Sequence, residues 1–158
     1  MKSPGAMKAI WGDPEATALR ITAAGYVRSR DIGYLDDRGF LYLADRKEDM
    51  IISGGFNVWP AEVENALASH PAVQEAAVVG VPDQKWGEAV LAVVVLREQQ
   101  QATEQELIDW ARQKVGRIKK PSRIEFSTEP LPKSPVGKMI RRLVRERFGS
   151  TGQHIHGA

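Results

Sequence analysis

The sequence predicts an α/β (α+β) domain in which helices pack on one small central sheet. Two Val-rich segments, 73–81 and 88–97, have the composition of central strands. A third segment, 122–127, alternates apolar and polar residues, as a half-buried strand does. Thr103 followed by Glu106 is a capping-box pattern, which predicts the start of a helix between the second and third strands.

The composition limits the classes of protein that are possible. The 158 residues are 42% hydrophobic and 27% charged, enough for one compact domain or for one domain plus part of another. With no cysteine, a disulfide framework, a thiolate metal site and a cysteine nucleophile are excluded. The histidines, His70, His154 and His156, do not indicate a metal site. The longest uncharged apolar run, 89–96, is too short to span a membrane, and we expect a cytoplasmic protein.

Shorter elements are predicted before the sheet. Residues 14–19 indicate a short helix, and residues 31–45 indicate a hairpin around the Asp36–Gly39 turn. A short apolar strand is expected at 50–52. The segment 53–57, with its paired glycines, is interpreted as a loop that permits close approach of a ligand.

Helices are predicted on both sides of the Val-rich strands. Pro60 is a favourable first residue for a helix, whose apolar side is formed by Val63, Ala66 and Leu67. Residues 129–137 hold three prolines and predict an extended surface loop, and residues 138–148 predict a basic helix.

Positive charge is concentrated between Lys114 and Arg147, where eleven basic and three acidic residues give a net charge of +8. Three interpretations remain open: an ordinary solvated surface, a polyanion-binding surface, or a site for the phosphates of a nucleotide or coenzyme. Only Phe126 and Phe148 could supply stacking rings near this segment, so nucleic acid is not favoured as a partner.

Four ordered blocks carry a resemblance to a known family. They are Gly25–Tyr34, Asp45–Glu64 with its Ser-Gly-Gly-Phe-Asn core, Val81–Asp83 with Gly87–Glu88, and Leu131–Lys138. Together they resemble the C-terminal part of the adenylate-forming acyl-CoA synthetases (AMP-binding enzymes), including fatty-acid and other carboxylic acid–CoA ligases.

The resemblance implies a division of the chain and a reaction. Residues 1–44 would be a remnant of the large N-terminal domain, 45–148 a mobile C-terminal lid domain, and 149–158 a disordered tail. Such enzymes join a carboxylic acid to ATP, releasing pyrophosphate, and then transfer the acyl group to coenzyme A, releasing AMP. ATP, with Mg²⁺ bound mainly by the large domain, and coenzyme A are the expected cofactors. Because most of the active site lies in that large domain, the isolated chain is expected to be inactive.

The resemblance also implies roles for residues on the nucleotide side. Asp31 resembles the aspartate that accepts hydrogen bonds from the ribose hydroxyls of ATP. Arg46 resembles the arginine that holds the nucleotide near the ribose and phosphates. Lys138 resembles the lysine that bridges the substrate carboxylate and the α-phosphate during adenylation.

Two further roles follow from the same resemblance. Asp45 matches the hinge about which the lid turns, and Gly54, Gly55 and Phe56 match a loop that faces coenzyme A in the thioester-forming arrangement. The chain differs from the family at Arg30, where glycine is usual, and at Glu48, where lysine is frequent. Milder differences are Ser29 for threonine and Ala9-Ile10 for Gly-Tyr.

Two other interpretations stay open. The acyl group could pass to the phosphopantetheine of a carrier protein rather than to coenzyme A. Alternatively, the chain could be a non-catalytic module that binds a partner or polyanion through residues 114–147. Neither the acid substrate nor the oligomeric state is indicated by the sequence.

Overall fold

The structure is a computed structural model that describes residues 2–149. Its first part contains helix α1 (Pro14–Arg20) and the hairpin of strands β1 (Asp31–Leu35) and β2 (Leu41–Arg46). The short helix and the hairpin predicted from the sequence are therefore confirmed. The two strands pair antiparallel, with Asp31 opposite Arg46, and a bulge follows Ile32.

The second part is the predicted α/β layer domain. After a 3₁₀ turn (Lys47–Asp49), the elements follow in the order β3 (Ile51–Ser53), β4 (Phe56–Val58), α2 (Pro60–Ala68), β5 (Val73–Asp83), β6 (Gly87–Leu96), α3 (Glu104–Lys119), β7 (Arg123–Phe126) and α4 (Arg141–Phe148). Strand β6 is central, because β5 pairs along one edge while β3 and the parallel strand β7 pair successively along the other. Strand β5 was expected at the centre, but among the described strands it lies at the edge.

Both faces of the sheet are covered, which explains why the strands are almost continuously apolar. Alternate residues of β6 point to opposite faces. Val90 and Val94 pack in one cluster with Leu67 of α2 and Leu107 of α3. On the other face, β5 and β6 pack against α4 and the segment before it; these buried residues are Ala77, Val79, Val81, Leu91, Val93, Leu131 and Val144.

Four sequence predictions are corrected in detail. The segment 53–57 is not a loop throughout, because Phe56–Val58 pairs with Ile51–Ser53 as a hairpin. Gly54 and Gly55 are its two turn residues, and both have positive φ (57° and 82°), as a type I′ turn requires. Capping was predicted correctly for α3, but Gly116, at φ 82°, interrupts that helix before its last residues.

The remaining two corrections concern the approach to α4. The proline-rich loop is not wholly on the surface, because Leu131 is only 3% exposed. Glu75 accepts hydrogen bonds from the Leu131 amide (3.2 Å) and the Lys133 ammonium (2.7 Å), and the Lys133 hydrogen bond lowers the pKa of Glu75. Helix α4 begins at Arg141, so Lys138 lies before the helix rather than in it. The predicted tail falls almost entirely outside the described residues.

Candidate active site

One pocket of about 680 Å³ brings together residues from the hairpin and from the segment before α4. We call it the Lys138 pocket. It is lined by Asp31, Leu43, Ala44, Asp45, Arg46, Asp49, Ser134, Lys138, Met139, Ile140 and Arg141. Four residues singled out in the sequence, Asp31, Asp45, Arg46 and Lys138, therefore line the same pocket although they come from distant segments of the chain.

Asp31 and Arg46 face one another across the hairpin. They are paired in the β1–β2 register, and Arg46 Nε lies 3.8 Å from Asp31 Oδ1. Directly opposed side chains of an antiparallel pair lie on the same face, so the strand register itself places both groups in the pocket. A carboxylate acceptor and a guanidinium donor thus stand together at its hairpin side.

Lys138 is presented by a tight turn. The Ser134 amide donates to the Lys138 carbonyl (2.8 Å), and the Lys138 amide donates to Ser134 Oγ (3.1 Å). Gly137 closes the turn at φ 79°. No hydrogen bond or ion pair to the Lys138 ammonium is found within residues 2–149. Its backbone is therefore fixed while its cation is available to a ligand.

Asp45 is tied to the second part of the chain. Its side chain is only 6% exposed, and Oδ2 accepts a hydrogen bond from the Ala61 amide (2.9 Å) in the first turn of α2. Helix α2 has no side-chain cap from its own preceding residue, Trp59. Asp45 therefore supplies the acceptor that this helix start needs, and a movement of the backbone at Asp45 would be linked to the orientation of α2.

Arg30 and Glu48, at which the sequence was expected to depart from the resembled family, are in contact with each other. Arg30 Nε forms an ion pair with Glu48, and the Lys47 amide donates to the Arg30 carbonyl (2.9 Å). Arg30 has φ 67°, a conformation that favours glycine, the residue that the resemblance implies at this position. The Arg30 and Glu48 side chains neutralise one another, so neither leaves an unpaired charge beside the Lys138 pocket.

A second pocket of about 380 Å³ lies on another face and shares no residue with the first. We call it the Phe56 pocket. It is lined by Ser53, Phe56, Trp86, Arg117, Ile118, Lys120 and Ser122. The predicted Gly54–Phe56 segment is therefore not brought to Lys138 in this arrangement, but adjoins a separate basic and aromatic pocket.

The sequence had marked Arg117 and Lys120 only as members of the basic segment, and it did not single out Trp86. The interruption of α3 at Gly116 turns the last residues of the helix toward Phe56. The signal in the sequence is a glycine within a helical pattern, followed directly by arginine. It could have predicted that the helix is interrupted and that Arg117 departs from the direction of the preceding turns.

The two glycines of the β3–β4 turn have different surroundings. A Cβ at Gly54 would lie 2.6 Å from Trp86 Cε3, whereas a Cβ at Gly55 would have no neighbour within 4 Å. Gly54 thus makes room for the Trp86 ring, and its amide donates to the Trp86 carbonyl (2.9 Å). Only Gly55 leaves open space for a ligand.

This contrast makes a prediction about stability. Gly54→Ala and Gly55→Ala both force alanine into a positive-φ conformation, at a cost of about 1 kcal/mol each. Gly54→Ala should lower the free energy of unfolding by a further ~1–3 kcal/mol, because the methyl group overlaps the Trp86 ring. Urea unfolding of the two variants measures the difference. Equal losses would show that Trp86 moves aside freely.

The fold defines a class of protein: the C-terminal lid domain of the adenylate-forming enzymes. Residues 62–138 match the family described as "AMP-binding enzyme C-terminal domain". Residues 62–138 are therefore assigned to this family.

Similar proteins include enzymes with both kinds of thiol acceptor. Long-chain-fatty-acid–CoA ligase FadD13 of Mycobacterium tuberculosis is 41% identical over 96% of this chain and 29% of its own length. Fatty acid–[acyl-carrier-protein] ligase ScoC of Streptomyces coeruleorubidus is 40% identical over 94% of this chain and 28% of its length. The chain thus spans less than a third of these relatives.

The solved structures agree on the fold. ATP-bound MatB from Rhodopseudomonas palustris superposes with a TM-score of 0.87 at 32% identity, covering 94% of this chain and 29% of that one. Within residues 2–149, no helix is long and apolar enough to cross a membrane. That same part of the chain contains no group of three or more His, Asp or Glu side chains arranged to hold a metal ion.

Proposed function

We propose that this chain is the lid of an ATP-dependent carboxylic acid–CoA ligase, with one face for each step of the reaction. The observation that carries the proposal is the Lys138 pocket, where a free ammonium group stands with Asp31 and Arg46 across the hinge segment. These are the groups that a nucleotide and a carboxylate would need.

In the first step, the substrate carboxylate attacks the α-phosphorus of ATP and pyrophosphate leaves. Lys138 contacts the carboxylate and an α-phosphate oxygen, and its charge stabilises the negative charge shared between them in the transition state. Asp31 accepts hydrogen bonds from the ribose hydroxyls, and Arg46 holds the nucleotide beside it. No proton transfer by Lys138 is required.

In the second step, the thiol of coenzyme A attacks the carbonyl carbon of the acyl-adenylate and AMP leaves. The Phe56 pocket has the chemistry to hold the nucleotide part of coenzyme A. Arg117 and Lys120 supply cations for its phosphates, and the half-exposed rings of Phe56 and Trp86 offer apolar faces. In the adjoining turn, the open space beside Gly55 leaves room for the pantetheine arm.

We propose that residues 1–44 belong to the large domain of the enzyme and residues 45–148 to the lid. The distribution of exposed apolar side chains supports this division. Leu35, Leu41 and Leu43 of the hairpin are each more than 60% exposed, and Trp11 is fully exposed. An apolar surface of this kind is expected where another domain packs. The isolated chain would then lack the acyl pocket and be inactive.

Transfer to a carrier protein is the second candidate, since ScoC is nearly as similar to the chain as FadD13. The cations of the Phe56 pocket favour coenzyme A, because its 3′-phosphate and diphosphate are absent from the pantetheine arm of a carrier protein. A polyanion-binding module is not favoured. Six of the eleven basic residues between 114 and 147 form ion pairs with carboxylates: Lys119, Arg123, Lys133, Arg141, Arg142 and Arg147.

Several features of the whole enzyme stay predictions. Mg²⁺ would be held mainly by residues of the large domain, and the acid would bind in the part of the relatives that this chain does not cover. Fatty, aromatic and small acids are all compatible with the lid. A cytoplasmic location, where ATP and coenzyme A are available, is expected.

A chimera tests the proposal. The C-terminal segment of FadD13 that matches this chain is replaced by residues 1–158, and acid-dependent release of AMP is measured with ATP and coenzyme A. Thioester formation above that of FadD13 truncated at the same point is expected. A folded chimera with no more activity than the truncated enzyme would contradict the proposed function.

A further inference from the structure

Arg141, the first residue of α4, is the most highly connected cation in the Lys138 pocket. Its side chain is only 16% exposed. Nε and Nη2 donate to the two carboxylate oxygens of Glu64 (3.2 and 2.7 Å), and Nη1 donates to Asp49 (2.9 Å). The Asp45 carboxylate lies 3.9 Å from Nη1. The guanidinium therefore contacts three carboxylates from three separate elements.

These carboxylates belong to the hinge and to the body of the lid. Asp45 is the penultimate residue of strand β2 and accepts a hydrogen bond from the first turn of α2, and Asp49 ends the 3₁₀ turn that follows β2. Glu64 lies in α2, and its Oε1 also accepts from the Val78 amide of β5 (2.9 Å). Burial opposes the charge of Arg141, but the carboxylates more than offset this effect and raise its pKa. Without Arg141, three nearby carboxylates would lack their shared cation.

Arg141 and Lys138 differ in what their cations can do. The N–H groups of Arg141 are directed at protein carboxylates, a bidentate arrangement that guanidinium favours. The Lys138 ammonium has no such partner among the described residues. Only two residues separate them, and the Ile140 amide donates to the Pro132 carbonyl (2.9 Å), so the backbone between them is fixed. Arg141 is thus placed to hold the Lys138 turn rather than to bind phosphate.

We propose that Arg141 is a positioning residue for Lys138: by joining the hinge carboxylates to Glu64, it fixes the Lys138 turn relative to the hinge. The role in catalysis rests on the proposed function, whereas the mechanical link does not. The position of the Lys138 ammonium determines how strongly it stabilises the negative charge of the transition state. The loss of Arg141 should therefore lower kcat for adenylation more than it raises KM for ATP.

Hydrogen exchange tests the mechanical link in the 158-residue chain itself. In Arg141→Met, the amides of Lys138 and Ile140 should exchange at least about 10-fold faster than in the wild type, because the tether of the turn is lost. Arg142→Met is the matched control, since Arg142 is exposed and, among the residues that the structure describes, forms an ion pair only with Glu146 on its own helix. Equal exchange in Arg141→Met and Arg142→Met would overturn the proposal.

Kinetics of the chimera test the consequence. Arg141→Met should lower kcat for adenylation about 10- to 100-fold with KM for ATP changed less than about threefold, and Arg141→Lys should restore part of the loss. A raised KM with unchanged kcat would instead make Arg141 a direct ligand of ATP and overturn the inference.

If Arg141→Met does not fold, the variant Glu64→Gln takes its place. Glu64→Gln should also lower kcat for adenylation, by a smaller factor, and a normal kcat in this variant counts against the proposal. An inactive wild-type chimera contradicts only the proposed function, because the exchange experiment is independent of it.

Discussion

Replacing Lys138 with alanine is expected to slow acyl-adenylate formation in the chimera by about 100- to 1,000-fold, the usual effect of removing one charge-stabilising donor from a transition state. The Lys138 ammonium has no partner within the described chain, so its loss should not destabilise the fold. Acid-dependent exchange of labelled pyrophosphate into ATP measures this step without coenzyme A.

Lys114→Ala is the control for the Lys138 substitution. Lys114 lies on α3, with its ammonium over the ring of Trp110 at 5.0 Å, and it does not line either pocket. The change in net charge is the same, but exchange should continue at the wild-type rate. A similar loss in both variants would show that general charge, and not the position of Lys138, governs the step.

The double substitution Arg117→Ala/Lys120→Ala is expected to raise KM for coenzyme A by at least about 100-fold while pyrophosphate exchange is unchanged. Each cation in the Phe56 pocket can form a charge-assisted hydrogen bond with a phosphate, worth about 1.5–3 kcal/mol. Their loss should affect only the step that uses coenzyme A. Initial rates of thioester formation at varied coenzyme A concentration measure it.

Arg112→Ala/Lys114→Ala is the matched control on the same helix, with the same change of two charges but outside the Phe56 pocket. Its KM for coenzyme A should stay near that of the wild type. If the Arg117/Lys120 variant keeps normal affinity for coenzyme A, transfer to a carrier protein becomes the better interpretation, and pantetheine attached to a carrier should then be tested as acceptor.

The elements of the fold were largely predictable because local signals and the tertiary structure agree. The capping box at Thr103, Pro60 at the start of α2 and the Val-rich strands all keep their predicted structure. Strand β4 was missed because three residues, two of them exposed, carry too little pattern. Its existence depends on a turn whose geometry only Gly54 and Gly55 together allow.

The residues of the Lys138 pocket were singled out in the sequence only in part, and those of the Phe56 pocket hardly at all, because their arrangement depends on the tertiary structure. Asp31 and Arg46 meet through strand register, which the hairpin pattern implies. The contact of Arg141 with Glu64 joins residues 77 positions apart, and no local pattern encodes it. The same is true of the separation between the two pockets, which depends on the kink at Gly116 and on the side of the sheet to which each element returns.

The most direct test separates the two steps in one experiment. Preformed acyl-adenylate and coenzyme A are given to the chimera carrying Lys138→Ala or Arg117→Ala/Lys120→Ala, and the single-turnover rate of thioester formation is measured at subsaturating coenzyme A. If the two faces have separate roles, the rate of thioester formation should stay near the wild-type value in Lys138→Ala and should fall strongly in the double variant. Equal loss in both variants would contradict the assignment of one face to each step.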